Sequence, residues 1–234
     1  MIRYEDAHYY YVWKPHDIPT TYGNEYSFLE RIVDEQPSFF RRLQEIFNEK
    51  QEYGLVNRLD NDTAGLLYFA KTHADYEAYE QAQKIESLYK IYLCDLQWQV
   101  MIDKTIEKAN PSYISKAYIE WEEWLCVTYP IMHHAHDDTR MVCLVSPKDA
   151  NKWRGTLLAS KTTIFPLYYD AERNITTCYA LIHQGTRHQI RVHTAALGYP
   201  IVGDILYNKK YIAGQRLQLR SVGLSDTCNF LRDM

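Results

Sequence analysis

The segment that most constrains the fold runs from residue 57 to residue 72. It reads Asn57-Arg58-Leu59-Asp60-Asn61-Asp62-Thr63-Ala64-Gly65-Leu66-Leu67-Tyr68-Phe69-Ala70-Lys71-Thr72. An Arg-x-Asp sequence precedes a turn-like Asp-Thr-Ala-Gly and then an apolar run typical of a buried strand. Because side chains two residues apart in an extended segment point the same way, Arg58 and Asp60 are expected to share one surface. A carboxylate kept ionised beside a fixed cation can serve as a nucleophile or an electrostatic stabiliser.

A second motif begins at residue 185 and reads Gly185-Thr186-Arg187-His188-Gln189-Ile190-Arg191-Val192-His193. It is followed by Gly198-Tyr199-Pro200-Ile201-Val202-Gly203-Asp204. The pattern predicts a helix from Arg187 to Leu197, with Thr186 and Gln189 as a capping box and Gly198 just past its end. On such a helix Arg187 and Arg191 are four residues apart and share a face.

Composition indicates an ordinary soluble globular protein. The chain has 234 residues, of which 46% are hydrophobic and 24% charged, and it contains no apolar run approaching the roughly 18 residues that a membrane span needs. The start of the chain lacks the apolar region of a secretory signal, so we expect a cytoplasmic protein without membrane contact. The five scattered cysteines favour reduced thiols. A net charge of −4 gives no argument for nucleic acid, although basic residues can still converge on one face.

Local patterns predict the remaining elements. Helical spacing spans residues 27–50 and is divided at Pro37, and Thr72 is a candidate N-cap for a helix from His73 to Lys84. Strands are predicted at 2–18, 66–70, 88–96, 117–124, 140–145 and 176–183. The cluster formed by His133, His134 and His136 has no carboxylate or cysteine partner at recognisable spacing, which favours a polar loop over a metal site.

Both motifs resemble those of RluA-type pseudouridine synthases, which carry H-R-L-D-x-x-T-S-G-L-L and G-R-T-H-Q-I-R-V-H…G-x-P-I-x-G-D. Lys90-Ile91-Tyr92 resembles the family's K-x-Y motif, and Lys14-Pro15 resembles its opening K-P. The resemblance implies an α+β fold with a mixed, largely antiparallel sheet split around a central catalytic cleft, with flanking helices. It also implies one catalytic domain over residues 1–234, without the S4-type RNA-binding domain that precedes it in many relatives.

The implied activity is isomerisation of a uridine in ribosomal or transfer RNA to pseudouridine. By resemblance Asp60 is the catalytic residue, Tyr92 stacks on the target base, and Arg191 pairs with Asp60 in the middle of the cleft. Contacts to the RNA are expected from Arg58, which would help to extrude the uridine, and from a further set of motif residues: Arg187, His188 and Gln189. No cofactor and no metal are expected, and a monomer is the default.

The chain also departs from the family pattern. Asn57 replaces histidine, Asp17 replaces a glycine, Ala64 replaces serine, and Thr186-Arg187 inverts the family's Arg-Thr. These changes leave open a non-catalytic RNA-binding protein or RNA chaperone on the same fold. A carboxylate-based hydrolase is a second alternative, suggested only by the closeness of Asp60 and Asp62 in sequence.

Overall fold

The structure is a computed structural model and describes residues 2–23, 25–101, 117–120, 124–146 and 152–226. These residues contain twelve strands and four α-helices, numbered in chain order below. The chain divides into two compact units, of which the first comprises Met1–Tyr89 with Arg220–Met234 and the second Lys90–Leu219. No helix in the described ranges is long and apolar enough to cross a membrane.

The first unit contains four neighbouring strands in the order β1-β2-β3-β12. Their bounds are β1 (Ile2–Glu5), β2 (Tyr9–Lys14), β3 (Ala64–Ala70) and β12 (Leu219–Ser225). β2 pairs antiparallel with β1 and β3, whereas β12 pairs parallel with β3. All seven residues of β3 are buried, as its continuous apolar run predicts for a strand covered on both faces. β3 is therefore the central strand of this unit.

The helices of the first unit begin where local signals predict. They are α1 (Phe28–Glu35), α2 (Pro37–Ile46) and α3 (His73–Lys84), with a 3₁₀ segment at Glu49–Gly54. Pro37 occupies the first position of α2, where its missing N–H leaves no intrahelical bond unmade. The Thr72 hydroxyl accepts a bond from the Asp75 N–H at 3.1 Å, which confirms the predicted cap of α3.

The second unit contains five strands in the order β4-β11-β10-β6-β5 and a small sheet in the order β8-β7-β9. The five strands are β4 (Tyr89–Gln97), β5 (Ala117–Glu120), β6 (Trp124–Val127), β10 (Thr162–Asp170) and β11 (Ile175–Ile182). The small sheet comprises β7 (Ile131–His134), β8 (Met141–Cys143) and β9 (Trp153–Leu158). Each pairing within these two sets is antiparallel. The one helix described here is α4 (Gln189–Ala196).

The predicted mixed, largely antiparallel α+β fold is confirmed, because β12 runs parallel to β3 whereas the other strand pairings given above are antiparallel. Residues 121–123, within the strand region predicted at 117–124, lie outside the described part. Cys94 and Cys178 are opposite each other on β4 and β11, and both are free, buried thiols. Burial raises the pKa of both thiols, so they behave as core residues. Cys228 lies outside the described residues.

The start of α4 was predicted wrongly. The helix begins at Gln189 and not at Arg187, because His188 adopts the left-handed conformation with φ 56°. The Gln189 half of the predicted capping box is present, since its side-chain oxygen accepts from the Thr186 N–H at 3.1 Å. Arg187 lies in the turn before the helix, so it does not share a helical face with Arg191.

Gly65 at the start of β3 gives a stability prediction. Its φ is +123°, and a Cβ there would lie 2.3 Å from the Ser221 carbonyl oxygen on β12. We expect Gly65→Ala to lower the free energy of unfolding by about 2–4 kcal/mol, since backbone strain and a backbone clash add. Gly155→Ala is the matched control: φ is +80° but nothing lies within 4 Å, so only strain of about 1 kcal/mol is expected. Equal losses in urea unfolding would contradict the close packing of β3 against β12.

Candidate active site

Asp60 lies in a tight turn that leads into β3. The Thr63 N–H donates to the Asp60 carbonyl at 3.0 Å, which closes the turn. Along the preceding segment Asn57 and Leu59 are buried, Arg58 is exposed and Asp60 is half-buried, the alternation of an extended chain. The Arg58 side chain is 68% exposed, and its nearest acidic partner is Glu52 at 3.7 Å. This geometry presents the Asp60 carboxylate on the outer side of a chain whose inner side is anchored in the core.

A buried lysine holds this turn from below. Lys14 is fully buried, and its ammonium donates to the carbonyls of Asp60 at 3.2 Å, Asn61 at 3.0 Å and Thr63 at 2.8 Å. The carbonyl of Pro15 at 3.1 Å is a fourth acceptor. Burial lowers the pKa of Lys14 to about 8, although the carboxylates of Asp60, Asp62 and Asp17 act in the opposite direction. Lys14 therefore acts as an internal cap for the turn.

Sequence reasoning missed this role of Lys14. Along β2 the residues on its side of the strand are Tyr10 and Val12, which are half-buried and buried. A lysine that follows inward-facing residues on the same side of a strand must find hydrogen-bond acceptors in the core. This requirement was the sequence signal for the role of Lys14. The identity of those acceptors depends on a contact between segments some fifty positions apart in sequence, so it could not be read from local pattern.

Three further side chains tether the same turn. The Thr20 hydroxyl donates to the Leu59 carbonyl at 2.7 Å and accepts from the Leu59 N–H at 3.1 Å. His16 donates through Nδ1 to the Asp62 carbonyl at 2.7 Å. The Asn57 amide accepts from the Tyr68 N–H at 2.8 Å and donates to a β3 carbonyl at 3.3 Å. Asn57, a departure from the family motif, thus fixes the segment to the central strand through its side chain.

In the second unit Arg191 is fixed by a buried fork. Its Nε and one terminal nitrogen each donate to a carboxylate oxygen of Asp204 at 2.9 Å, and the two side chains are 1% and 0% exposed. The Arg191 guanidinium also lies 5.6 Å from the centre of the Tyr207 ring. Two contacts of fixed geometry therefore set the orientation of this arginine.

Asp204 was quoted in the sequence motif but given no role there. Besides the two arginine bonds, its Oδ1 accepts from the N–H groups of Leu206 at 2.9 Å and Tyr207 at 3.1 Å. It follows Gly203, whose φ of +77° and close approach to the Arg216 carbonyl exclude a side chain. An aspartate in a buried segment needs a cationic partner, and the structure identifies this partner as Arg191.

His188 joins the same network. Its Nδ1 lies 2.9 Å from the Tyr207 hydroxyl, which accepts from the Met141 N–H at 2.8 Å. The His188 ring and the Tyr207 hydroxyl are therefore hydrogen-bonded to each other. Burial, with the nearby charge of Arg191, lowers the pKa of His188 to about 3, in agreement with a neutral ring. His188 thus links the start of α4 to the Tyr207 segment and β8.

Gln189 and Arg187, both expected to contact RNA, have protein partners. The Gln189 amide is buried and donates to the Lys161 carbonyl at 2.8 Å and to the Thr162 hydroxyl at 3.1 Å. Arg187 is exposed and donates to the Asp138 carbonyl at 3.0 Å. Gln189 therefore ties α4 to β10, and the RNA contacts of both residues stay predictions.

Tyr92 lies near the start of β4, opposite Ala180 of β11, and is 6% exposed. Lys90 is two residues earlier on the same side of the strand. Burial lowers the pKa of Lys90 to about 8. The predicted strand that carries the K-x-Y motif is confirmed, while the contact of Tyr92 with a base stays a prediction.

The histidine cluster shows local hydrogen bonding. His133 and His134 are the last two residues of β7, so the polar-loop prediction is wrong for them, whereas His136 lies in the bend that follows. The His136 N–H donates to Nδ1 of His134 at 3.3 Å. Among the residues that the structure describes, no group of three or more histidine, cysteine, aspartate or glutamate side chains is arranged to hold a metal ion.

The Lys14 contacts predict a stability loss when the ammonium is removed. Lys14→Met keeps the length of the side chain but leaves the carbonyls of Asp60, Asn61 and Thr63 without their buried donor. We expect the free energy of unfolding to fall by about 2–4 kcal/mol, measured by urea unfolding. Lys50→Met removes an exposed lysine of the same unit and should change the free energy of unfolding by less than about 0.5 kcal/mol. A Lys14→Met protein as stable as the control would show that the turn does not depend on the Lys14 ammonium.

The fork between Arg191 and Asp204 gives a second prediction. Asp204→Asn removes the charge and turns an amide N–H₂ toward the guanidinium, so a buried cation is left without its counter-ion. We expect a loss of about 3–5 kcal/mol in the free energy of unfolding. Asp34 is an exposed residue of α1, so Asp34→Asn should lower the free energy of unfolding by less than about 0.5 kcal/mol. If the two substitutions cost the same in urea unfolding, the fork does not hold Arg191.

Comparison with known proteins identifies a family. The sequence profile described as RNA pseudouridylate synthase matches residues 8–196. A dual-specificity RNA pseudouridine synthase RluA from Vibrio vulnificus is 28% identical over 226 residues, covering 96% of this chain and 76% of the relative. An uncharacterized RNA pseudouridine synthase from Aquifex aeolicus is 28% identical over 181 residues, or 76% of this chain. The chain spans only 46% of that relative's length.

A solved structure supports the same fold. Human RNA Pseudouridylate Synthase Domain Containing 1 superposes with a TM-score of 0.66, covering 95% of this chain and 76% of that one at 19% identity. At this identity the likeness speaks for the fold alone. The sequence profile, however, covers well over half of the chain, including the Asp60 turn, β4 and α4. The chain therefore belongs to the RNA pseudouridylate synthase family.

Proposed function

We propose that the chain is an RNA pseudouridine synthase that isomerises a specific uridine in ribosomal or transfer RNA, with Asp60 as the catalytic carboxylate. Family membership supports the activity. The observation that carries the assignment to Asp60 is the turn in which it lies, anchored on its inner side by Lys14, Thr20 and His16. A carboxylate on a turn held this firmly keeps one orientation without reorganising during the reaction, which is what electrostatic preorganisation requires.

The chemistry rearranges one nucleotide without a net change in its atoms. The bond between N1 of uracil and C1′ of ribose breaks, the base turns while bound, and a bond forms between C5 and C1′. The proton on C5 leaves to solvent, and N1 takes up a proton in its place. The Asp60 carboxylate can attack carbon or promote cleavage of the glycosidic bond, and both routes need it ionised.

Tyr92 and Arg191 complete the proposed catalytic group. Tyr92 presents a flat apolar face for stacking and a hydroxyl that can move a proton during the rearrangement. Arg191 is proposed to pair with Asp60 and to hold its charge. The fork to Asp204 supports this, because it sets the plane and direction of the guanidinium before substrate binds.

The remaining proposed residues bind the RNA. Arg58 is exposed, as a side chain needs to be if it is to enter the space left by the extruded uridine. Arg187 is exposed and can reach phosphate. For His188 and Gln189, which are buried, we propose an effect on RNA through the position of α4. We take a cytoplasmic monomer as the working form.

One observation favours a second function, a non-catalytic RNA-binding protein. The Thr186-Arg187 inversion coincides with the late start of α4, so Arg187 lies off the helix and bonds to the Asp138 carbonyl. An arginine moved in this way would alter RNA contacts first. The second function would show as RNA binding without isomerisation.

The catalytic assignment is tested by tritium release from RNA labelled at uridine C5. Wild-type protein should release tritium from total ribosomal and transfer RNA prepared from cells that lack the gene. Asp60→Asn and Asp60→Ala should abolish release while circular dichroism and thermal unfolding stay close to wild type. Asp62→Asn, a change two residues away, should retain release. Persistent release in both Asp60 variants would remove Asp60 from its role, and loss only in Asp62→Asn would favour the other carboxylate.

A further inference from the structure

A cavity in the first unit is not used by the proposed chemistry. It has a volume of about 210 Å³ and is lined by Arg3, Trp13, Pro15, Phe28, Arg31 and Glu35. Trp13 and Pro15 come from the end of β2 and the residue that follows it, and Phe28, Arg31 and Glu35 from α1. With Arg3 on β1, the cavity is therefore built on three regular elements, which gives it a fixed shape.

The lining combines an aromatic face with opposite charges. The Arg3 guanidinium lies 5.5 Å from the centre of the Trp13 ring, within the range of a cation–π contact. The Arg31 Nε donates to one carboxylate oxygen of Glu35 at 2.6 Å, which makes a pair on one turn of α1. Trp13 packs against the buried cluster formed by Tyr11, Leu66 and Tyr68, which holds its ring. Ring, guanidinium and carboxylate surround one space.

This set of groups is suited to an unpaired nucleobase. Proteins that recognise single-stranded RNA stack bases on aromatic rings or on arginine guanidinium planes and hydrogen-bond to the base edges. The Arg3 guanidinium covers one face of the Trp13 ring, so a base would stack on the outer side of this guanidinium or on the opposite face of the ring. A carboxylate oxygen of Glu35 can accept from an exocyclic amino group, which cytosine, adenine and guanine carry and uracil does not.

The position of the cavity relates it to the Asp60 turn. Trp13 directly precedes Lys14 on β2, and neighbouring residues of a strand point to opposite faces. The Lys14 ammonium, on its own side, donates to the carbonyls of Asp60, Asn61 and Thr63. A base in the cavity would thus lie on the opposite face of β2 from the ammonium that holds the turn with the proposed catalytic carboxylate.

We propose that this cavity is a second base-binding site, which takes an unpaired cytosine, adenine or guanine near the target uridine in the RNA. The inference rests on the proposed function, since it takes the ligand to be part of the same RNA. The site selects the RNA by the base beside the modified position, and it does not touch the reacting atoms.

A protein–RNA double-mutant cycle tests the site. The RNA is the short transcript that gives the greatest tritium release with wild-type protein, and each nucleotide flanking the target is replaced in turn by an abasic one. At one position the abasic change should raise the Kd of the wild-type protein by roughly 5- to 150-fold, the cost of losing one stacked base. In Trp13→Ala protein the same change should have no further effect, because the two losses are the same contact.

Control variants separate stacking from folding and charge. Trp13→Phe keeps an aromatic face and should keep the affinity within a few-fold, while Arg3→Ala should weaken binding more than Arg41→Ala, which removes an exposed arginine on α2. Glu35→Gln leaves the strands untouched and should reduce the preference for a base with an amino group over uracil. The rate of tritium release at saturating RNA should be unchanged in Glu35→Gln and Arg3→Ala. Circular dichroism verifies the fold of each variant.

The outcomes distinguish the two proposals. Additive losses at every flanking position, with Glu35→Gln leaving base preference unchanged, would overturn the second site while tritium release keeps the synthase assignment. A loss on methylphosphonate substitution of the RNA without any loss on abasic substitution would also overturn it, since the cavity would then bind phosphate only. An absence of tritium release from every RNA by wild-type protein would refute the proposed function, and the second site with it.

Discussion

The contact on which the Asp60 region most depends is that of one buried ammonium with a run of backbone carbonyls. Placing Lys14 in the core costs free energy, as its pKa, lowered to about 8, indicates. The carbonyl groups of Asp60, Asn61 and Thr63 offset that cost by accepting hydrogen bonds from the ammonium. The carbonyls of Asp60, Asn61 and Thr63 all accept from the one ammonium, so the backbone of the turn that carries Asp60 is fixed from its core side.

The second unit also contains a buried cation, but its partner is a side-chain carboxylate and not the backbone. Arg191 is buried, and the Asp204 fork fixes its guanidinium, while Tyr207 covers it. A buried ion pair of this kind adds little to stability compared with a well-packed apolar pair, but it is costly to break. Its value is orientation, because a two-bond fork defines both the plane and the direction of the arginine. Two buried cations, one bonded to backbone and one to a carboxylate, thus hold the two elements that carry the proposed catalytic charges.

The departures from the family motifs have structural explanations in this chain. The Asn57 side-chain amide accepts from one backbone N–H of β3 and donates to one backbone carbonyl of the same strand. Asp17 has φ 62°, a conformation that aspartate tolerates better than most residues with a side chain. The Thr186-Arg187 inversion accompanies a helix that begins later, at Gln189. These changes leave the Asp60 turn and the Arg191 fork intact.

The sequence by itself determined the elements whose signals are local. The boundary at Pro37, the cap at Thr72, the apolar strand β3 and the strands carrying the K-x-Y motif and residues 176–182 all follow from propensity and periodicity over a few residues. Family motifs pointed to Asp60, Tyr92 and Arg191. Only the tertiary structure decided what holds them, since Lys14 meets residues 60–63 and Arg191 meets Asp204 through contacts between distant segments. It also decided the start of α4, because the left-handed turn at His188 depends on a ring buried against Tyr207, and no local pattern encodes that partner.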